Sequence, residues 1–430
     1  MKNKFSVFMI FLLSFLPALV WVLMTPLSYR FTDFSVGMGS VGQVLGLIGA
    51  IMFAINMILS ARLKIFERNF DGLNKMYGSH NFFGQLALIL LILHPLFLLP
   101  KYAGNSYSAG ITFLFGSSTA VFVGTMALLL TILLIVLSIY FRPKYNVWKI
   151  THKFFGVALF LAGLHIWLIP SDISSNVFLR LYMLFFYAVA IVAFLYRAVF
   201  GRFFVPSYKY IVKEVTQIAP GVTRVVMVPQ YKKMDFFAGQ YVFVRFLSKG
   251  FSSEVHPFSI ASDPADNALT IIVKNLGDYT ANVSQLSLDA VAIIEGPYGS
   301  FIYKNAPSKN QIWIAGGIGI TPFLSMAKDL KSEDSYKIDF YYCVRDESEL
   351  VEMETLKNSV APLEDSFEIV PFCSAVSGRI SAEVIAKTSN GLDDKDIFVC
   401  APPMMIASLR TQFADLGVKK SSIHSEEFNF

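Results

Sequence analysis

Apolar positions are spread very unevenly along this chain. From Phe5 to about residue 200 they run in long, nearly uncharged stretches. Six of these reach the roughly 20 residues that a bilayer-spanning helix needs, over 5–24, 41–60, 80–100, 119–141, 152–169 and 179–197. Beyond residue 205 the pattern changes. Short runs such as VTRVVMV, YVFVRF and LTIIVKN, separated by Gly, Pro and Asp turns, fill 206–304 and predict a small antiparallel β-barrel. From 309 to 430, QIWIAG, KIDFYYCV and DIFVCA alternate with helical stretches and predict a parallel α/β domain. The expected fold is a membrane protein in three parts, with a six-helix transmembrane bundle over 1–200, the barrel over 206–304 and the α/β domain over 309–430.

Composition agrees with that division. The 430 residues are 54% hydrophobic and only 16% charged, too apolar for an ordinary soluble protein. The net charge of +5 says less than its distribution. Arg62, Lys64, Arg68 and Lys75 share one loop, Arg142, Lys144 and Lys149 another, and Arg197 and Arg202 follow the last helix, whereas the alternate loops hold only Arg30 and Lys101. The positive-inside rule then puts both termini and the soluble half in the cytoplasm of a cell that carries this protein in its plasma or inner membrane, and argues against nucleic acid as a partner. The first apolar run, after MKNK, is longer than a signal-peptide core and is not closed by a small-residue cleavage site, so it reads as a span. Cys343, Cys373 and Cys400 lie in the soluble half without CxxC spacing, which suggests neither a disulfide framework nor a zinc site.

Ionisable side chains are costly within a bilayer and tend to face a functional interior. Four of the six histidines, His80, His94, His152 and His165, fall on the third and fifth apolar helices. His80 and His94 are 14 residues apart and His152 and His165 are 13 apart, so each pair spans roughly 20 Å of helix. Both helices run in the same direction, which sets His80 level with His152 and His94 level with His165. Imidazoles facing each other from two helices suit the two axial positions of a haem iron. A zinc ion would want more ligands at each level. At about 100° per residue a spacing of 14 returns His94 to within about 40° of His80's face, but 13 leaves His165 about 140° from His152. Either the fifth helix is irregular, near Gly156 or Gly163, or its two histidines approach from different azimuths.

Six helices with this histidine spacing resemble the ferric-reductase-like membrane domain shared by NADPH oxidases and ferric reductases. That resemblance implies two b-type haems, an inner one on His80 and His152 and an outer one on His94 and His165.

The soluble half carries its own motifs. HPFSIAS, His256 to Ser262, follows GQYVFVRF and resembles the flavin signature of the ferredoxin-reductase family. The resemblance assigns Gln240, Tyr241, His256, Pro257, Phe258 and Ser259 to FAD, with the aromatic ring on the isoalloxazine and the Ser259 hydroxyl near N5. Many soluble relatives have arginine where this chain has His256, and the histidine form is typical of the membrane branch. VKNLGDYT matches the segment that holds the FAD pyrophosphate, with Lys274, Gly277 and Thr280 in contact, and EGPYGSF matches the closing turn of the barrel.

IWIAGGIGITPFLSM is a strand, a glycine-rich turn and a helix start, an arrangement that brings backbone N–H groups to a pyrophosphate. It matches the AGGxGxTP form of the same family and implies NADPH on Gly316, Gly317, Gly319, Thr321 and Pro322. CAPPMM resembles the family's CGPPxM, in which the cysteine, here Cys400, lies beside nicotinamide C4, and Ala401 replaces the usual glycine. Arg345, after a strand, and Arg379, in SGRIS, are the basic residues placed to meet a 2′-phosphate and so to favour NADPH over NADH. The chain ends EEFNF, and relatives end in an aromatic ring that stacks on the flavin, which makes Phe430, with Phe428 close behind, the matching residue.

The resemblance covers essentially the whole chain and implies an oxidase that moves electrons from cytosolic NADPH through FAD and two haems to dioxygen outside, forming superoxide. A ferric chelate is the alternative acceptor, since the same machinery would make the chain a ferric reductase. An electron-transfer subunit serving a partner protein is the third reading. No EF-hand loop and no Pro-rich tract is evident in the sequence, so an obligatory cytosolic activator is not expected.

Overall fold

The computed structural model describes residues 2–104, 106–141, 145–363 and 365–427 and divides into two compact units, Met1–Val205 and Pro206–Phe430.

Among the described residues of the first unit, six helices are long and apolar enough to cross a membrane: Asn3–Met24, Phe34–Leu59, Leu73–Tyr102, Thr119–Phe141, Val147–Leu168 and Val177–Val199. Two begin seven residues earlier than the apolar windows of the sequence, at Phe34 and Leu73. The Asp33 carboxylate caps the second span by accepting from Val36 N at 3.0 Å, and Gly72, at a φ of 110°, starts the third, whose first turns are polar. A hydropathy window sees the lipid-length part of a helix and not its polar ends. The second span is the centre of the bundle, with 72% of its apolar window buried against at most 28% for any other. It packs on the first, third and sixth spans, while the fourth packs on the fifth. The third and fifth spans, which carry the histidines, are therefore backed by the second and the fourth.

The fifth span is irregular, one of the two alternatives its 13-residue spacing leaves open, and the break lies at Phe154. One helix runs Tyr145–Lys153 and another Phe155–Leu168, with Phe154 N bonding Thr151 O at 3.0 Å in a tighter turn between them. Gly156, just beyond, is pressed against the Phe194 ring with no room for a methyl group. The loop after the third span holds a further short apolar helix, Tyr107–Gly116, capped by Ser106 Oγ and bearing the Phe113 ring stacked on Tyr102 at 4.8 Å.

The second unit contains two sheets. Strands β1 (Tyr208–Ala219), β2 (Val222–Pro229), β3 (Tyr241–Leu247), β4 (His256–Ser259), β5 (Leu269–Lys274) and β6 (Val291–Tyr298) form an antiparallel sheet ordered β4-β3-β6-β1-β2-β5. The expected barrel is not formally closed: β4 and β5 lie at the two edges, joined by the single bridge Ile260↔Ile271. β4 is only four residues long and its Pro257 has no N–H to give to a longer ladder.

Strands β7 (Asn310–Gly316), β8 (Lys337–Val344), β9 (Phe367–Cys373), β10 (Asp396–Cys400) and β11 (Ile423–Glu426) form a wholly parallel sheet ordered β11-β10-β7-β8-β9. One apolar core joins the two sheets, with Val222, Ala261, Ile272 and Phe301 packed among Trp313, Phe323 and Phe398. Trp313 and Phe323 are fully buried, each worth roughly 1.5–3 kcal/mol of transfer free energy.

Candidate electron-transfer sites

In the membrane unit the structure brings the histidines together as the sequence pairs them. The His80 and His152 rings lie 6.5 Å apart between centroids, and His94 and His165 are near enough to interact electrostatically. Three of the four are held from behind by backbone carbonyls. Asn56 O accepts from His80 Nδ1 at 3.1 Å, Gly42 O from His94 Nδ1 at 2.7 Å, and Ala120 O from His165 Nδ1 at 2.8 Å. A carbonyl can only accept, so in each of these rings Nδ1 carries the proton and Nε2 keeps its lone pair for a metal. The two acceptors on the second span, Gly42 and Asn56, repeat the 14-residue spacing of the histidines they orient. His152 differs: its buried Nδ1 has no hydrogen-bond partner among the described residues, and its ring stacks on Trp148 at 4.8 Å.

The sequence reading missed the glycines of this site. A Cβ built on Gly46 would lie 2.5 Å from His94 Nδ1, and one on Gly124 would lie 2.6 Å from His165 Nδ1. Both helices thus admit an imidazole flat against their backbone. The signal was present as small residues spaced along an apolar helix, Gly42, Gly46 and Gly49, which mark close helix approach. Gly124→Val is expected to displace His165 and remove one of the two histidine pairs as a ligand set. On the expectation of two haems that the resemblance implies, a reduced-minus-oxidised spectrum would lose half its haem absorbance, and full absorbance would contradict the placement.

The flavin-type residues lie on paired strands. Tyr241 is opposite Ser259, Val242 opposite Phe258, Phe243 opposite Pro257 and Val244 opposite His256. The Ser259 hydroxyl is buried and has no hydrogen-bond partner among the described residues, as a group waiting for a ligand atom would be. His256 stacks on Tyr279 at 3.8 Å and bonds Glu254 at 3.1 Å. Gln240 is spent inside the protein, accepting from Phe237 N and donating to Gly299 O. Thr280 likewise accepts from Leu276 N and Gly277 N, which shapes the turn. Gly277 has nothing within 4 Å of its absent side chain, and Lys274 Nζ lies 3.8 Å from Glu349 Oε2. The chemistry of the segment is an open backbone turn beside a cation.

At the carboxyl ends of the parallel strands, where open α/β sheets take ligands, the nucleotide-type residues converge. The helix Thr321–Asp329 follows the glycine turn with Pro322 in its first turn. The glycines divide their work. A side chain on Gly319 would collide with the Cys400 carbonyl, and one on Gly316 would meet the Ala401 methyl at 2.8 Å, so these two allow the turn to lie against β10. The unusual Ala401 fits because Gly316 has no side chain. Gly317, at a φ of 54°, faces open space.

Arg345 is exposed at the end of β8, 3.8 Å from Asp346, and its carbonyl accepts from Ala375 N, which brings the segment leading to the exposed Arg379 alongside it. Cys400 is fully buried and paired in register with Glu426. A Cβ on Gly299 would lie 3.1 Å from the Tyr241 ring and 3.5 Å from Glu426 Oε1, so the flavin-type and nicotinamide-type sets meet across Gly299 and Glu426. Glu426 was missed in the sequence, where it read only as part of the EE before the terminal aromatics. Phe428 and Phe430 lie outside the described residues.

Burial, with Glu426 beside it, pushes the Cys400 thiol well above its ordinary range, and burial pushes Cys343 up to about 12. Cys400 is thus a neutral S–H over the physiological range. The two thiols hold their protons in the fold but ionise near 8.5 in the unfolded chain. Stability from them is complete below that pH and falls as pH rises past it. The temperature at which flavin fluorescence is released is expected to drop between pH 8 and 10, and to drop less in Cys343→Ala; an equal slope in that variant would refute the assignment.

Comparison with known families reads the same three parts. Residues 45–163 match the ferric reductase like transmembrane component, 210–302 an FAD-binding domain and 313–411 an oxidoreductase NAD-binding domain. In this order the three matches resemble those of an NADPH-oxidase-like fusion. The fusion joins a ferric-reductase-like membrane part, within helices long and apolar enough to span a bilayer, to a ferredoxin-reductase-type FAD- and NAD-binding oxidoreductase module. Among curated relatives, the fusion is 25% identical over 201 residues to the ferredoxin reductase component of 3-ketosteroid-9-alpha-monooxygenase from Mycobacterium tuberculosis, covering 46% of this chain and 56% of that one. It is 27% identical over 209 residues to the 2-halobenzoate 1,2-dioxygenase electron transfer component of Burkholderia cepacia, covering 46% of this chain and 60% of that one. The chain thus spans a little over half the length of these relatives. Flavohemoglobin from Malassezia yamatoensis, solved with bound FAD and heme, shares the fold at a TM-score of 0.53 and 16% identity, over 91% of this chain and 98% of that one.

Proposed function

We propose that the fusion is a transmembrane NADPH oxidase that delivers electrons from cytosolic NADPH to dioxygen on the far side of the membrane, forming superoxide. The observation that carries this reading is the pair of histidine levels, in which three of four imidazoles are oriented by carbonyls with Nε2 left for a metal. When bound, FAD supplies the conversion of a hydride's two electrons into single electrons, and two b-type haems on His80 with His152 and on His94 with His165 supply one-electron carriers across the bilayer.

The residues of the chain do the rest. Ser259 offers its unpartnered hydroxyl to the flavin ring, and Tyr241 and Phe258 line the adjoining strands. Lys274 and the open turn at Gly277 take the flavin pyrophosphate. Gly317 and the start of the helix at Thr321 take the nicotinamide pyrophosphate, and Arg345, with Arg379 nearby, takes the 2′-phosphate that distinguishes NADPH from NADH. Cys400, a neutral thiol in a dry setting, packs against the reacting end of the nicotinamide and neither attacks it nor ionises. Both termini face the cytoplasm by the distribution of Arg62, Lys64, Arg68 and Lys75.

With two histidines engaged at each level, the protein would leave no open ligand position for the acceptor, and dioxygen and a ferric chelate would differ only in how they approach. Superoxide formation by purified protein, NADPH and oxygen is expected to persist after iron is removed with a chelator and to require no cell extract. Loss of turnover on iron removal would favour the ferric reductase reading, and rapid turnover only with an added protein would favour an electron-transfer subunit.

A further inference from the structure

One polar cluster in the membrane unit takes no part in the function above. Arg30, in the loop before the second span, is buried at 8% exposure. Its Nη1 donates to Asp172 Oδ2 at 2.6 Å, its Nη2 donates to Trp21 O at 3.2 Å, and its guanidinium lies over the Trp21 ring at 3.7 Å. Trp21 Nε1 donates to the same Asp172 oxygen at 2.7 Å. The backbone carbonyl of Arg30 accepts from Ser40 Oγ at 2.8 Å. The cluster thus ties the end of the first span, the start of the second and the segment after the fifth.

Both ends of this tie lead to the same histidine pair. Ser40 is two residues before Gly42, whose carbonyl holds His94 Nδ1. Asp172 is seven residues beyond His165, whose carbonyl accepts from Ile169 N at 2.9 Å to close the last turn of the fifth span. A buried ion pair is weak evidence for stability, because desolvation offsets most of its attraction, but it fixes the distance between the elements that carry its two charges. We propose that Arg30 and Asp172 are positioning residues for the outer site. They clamp the second span, which orients His94, at a set spacing from the fifth, which carries His165.

The inference rests on the two-haem reading above. Its test uses the full chain in lipid nanodiscs, comparing wild type, Ser40→Ala and the double variant Arg30→Met/Asp172→Leu by ferric low-spin EPR and potentiometric titration. The outer signal is identified as the one missing in His94→Leu. Replacing both charges by apolar groups leaves no unpaired charge to unfold the bundle, and Ser40→Ala cuts only the link to the second span. Both variants are expected to keep two haems, one FAD and an unchanged inner signal. Their outer haem is expected to shift its reduction equilibrium at least threefold, about 28 mV for one electron. Two haems with the outer signal unmoved in Ser40→Ala overturn the clamp alone, and fewer than two haems in wild type overturn the two-haem reading and the clamp together.

Discussion

His94→Leu is expected to lower NADPH-driven superoxide release at least 100-fold while NADPH still reduces the flavin at its normal rate. The expectation follows from the local chemistry. Gly42 O fixes the His94 ring through Nδ1, and Gly46 leaves it room to lie flat against the second span. Leucine fills the space but offers neither a ligand nor a donor, so the bond to Gly42 O is lost at a cost of about 0.5–1.5 kcal/mol. The haem count should fall from two to one per chain and the flavin count should stay at one. Stopped-flow bleaching of the flavin by NADPH and a cytochrome or dye assay for superoxide separate the two halves of the path. Undiminished superoxide release in this variant would remove the outer site from the mechanism.

The second large effect lies in the nucleotide turn, where two glycines two residues apart should fail in different ways. Gly317→Val is expected to raise KM for NADPH at least tenfold with the fold intact. Its φ of 54° costs a branched residue about 1–2 kcal/mol, and its side chain would project into the open space where a pyrophosphate would sit. Gly319→Val should instead abolish NADPH oxidation and lower the melting temperature, because a Cβ there collides with the Cys400 carbonyl and drives the turn off β10. Steady-state kinetics and thermal melts of the two variants would show it. Equal KM values for Gly317→Val and wild type would mean that the open face of the turn is not where the nucleotide binds.

Much of this was legible in the chain. The six apolar runs, the two changes of pattern near residues 205 and 307 and the histidine spacings are local or periodic properties, and such properties survive into the fold with shifts only at helix ends. What the sequence could not carry was partnership across elements. No reading of residues 41–60 shows that the carbonyls of Gly42 and Asn56 repeat the 14-residue spacing of His94 and His80, because a backbone oxygen is the same in every residue. An irregular fifth span was one of two alternatives legible from 13 residues at about 100° each, but its place at Phe154 was not, and neither was the close approach of Gly156 to Phe194, 38 positions away. The division of labour between Gly317 and Gly319 likewise depends on β10, which lies far along the chain. A small barrel was expected from short β-type runs between Gly, Pro and Asp turns, whereas the four-residue β4 and its proline leave, among the described residues, the Ile260↔Ile271 bridge between the edges.

The most direct measurement is a dithionite-reduced-minus-oxidised spectrum of the purified full chain with haem and flavin quantified against protein. Two b-type haems and one FAD per chain are expected, with His80→Leu and His94→Leu each retaining a single haem. One haem or none in the wild-type chain, or two haems in His94→Leu, would contradict the assignment of the four membrane histidines.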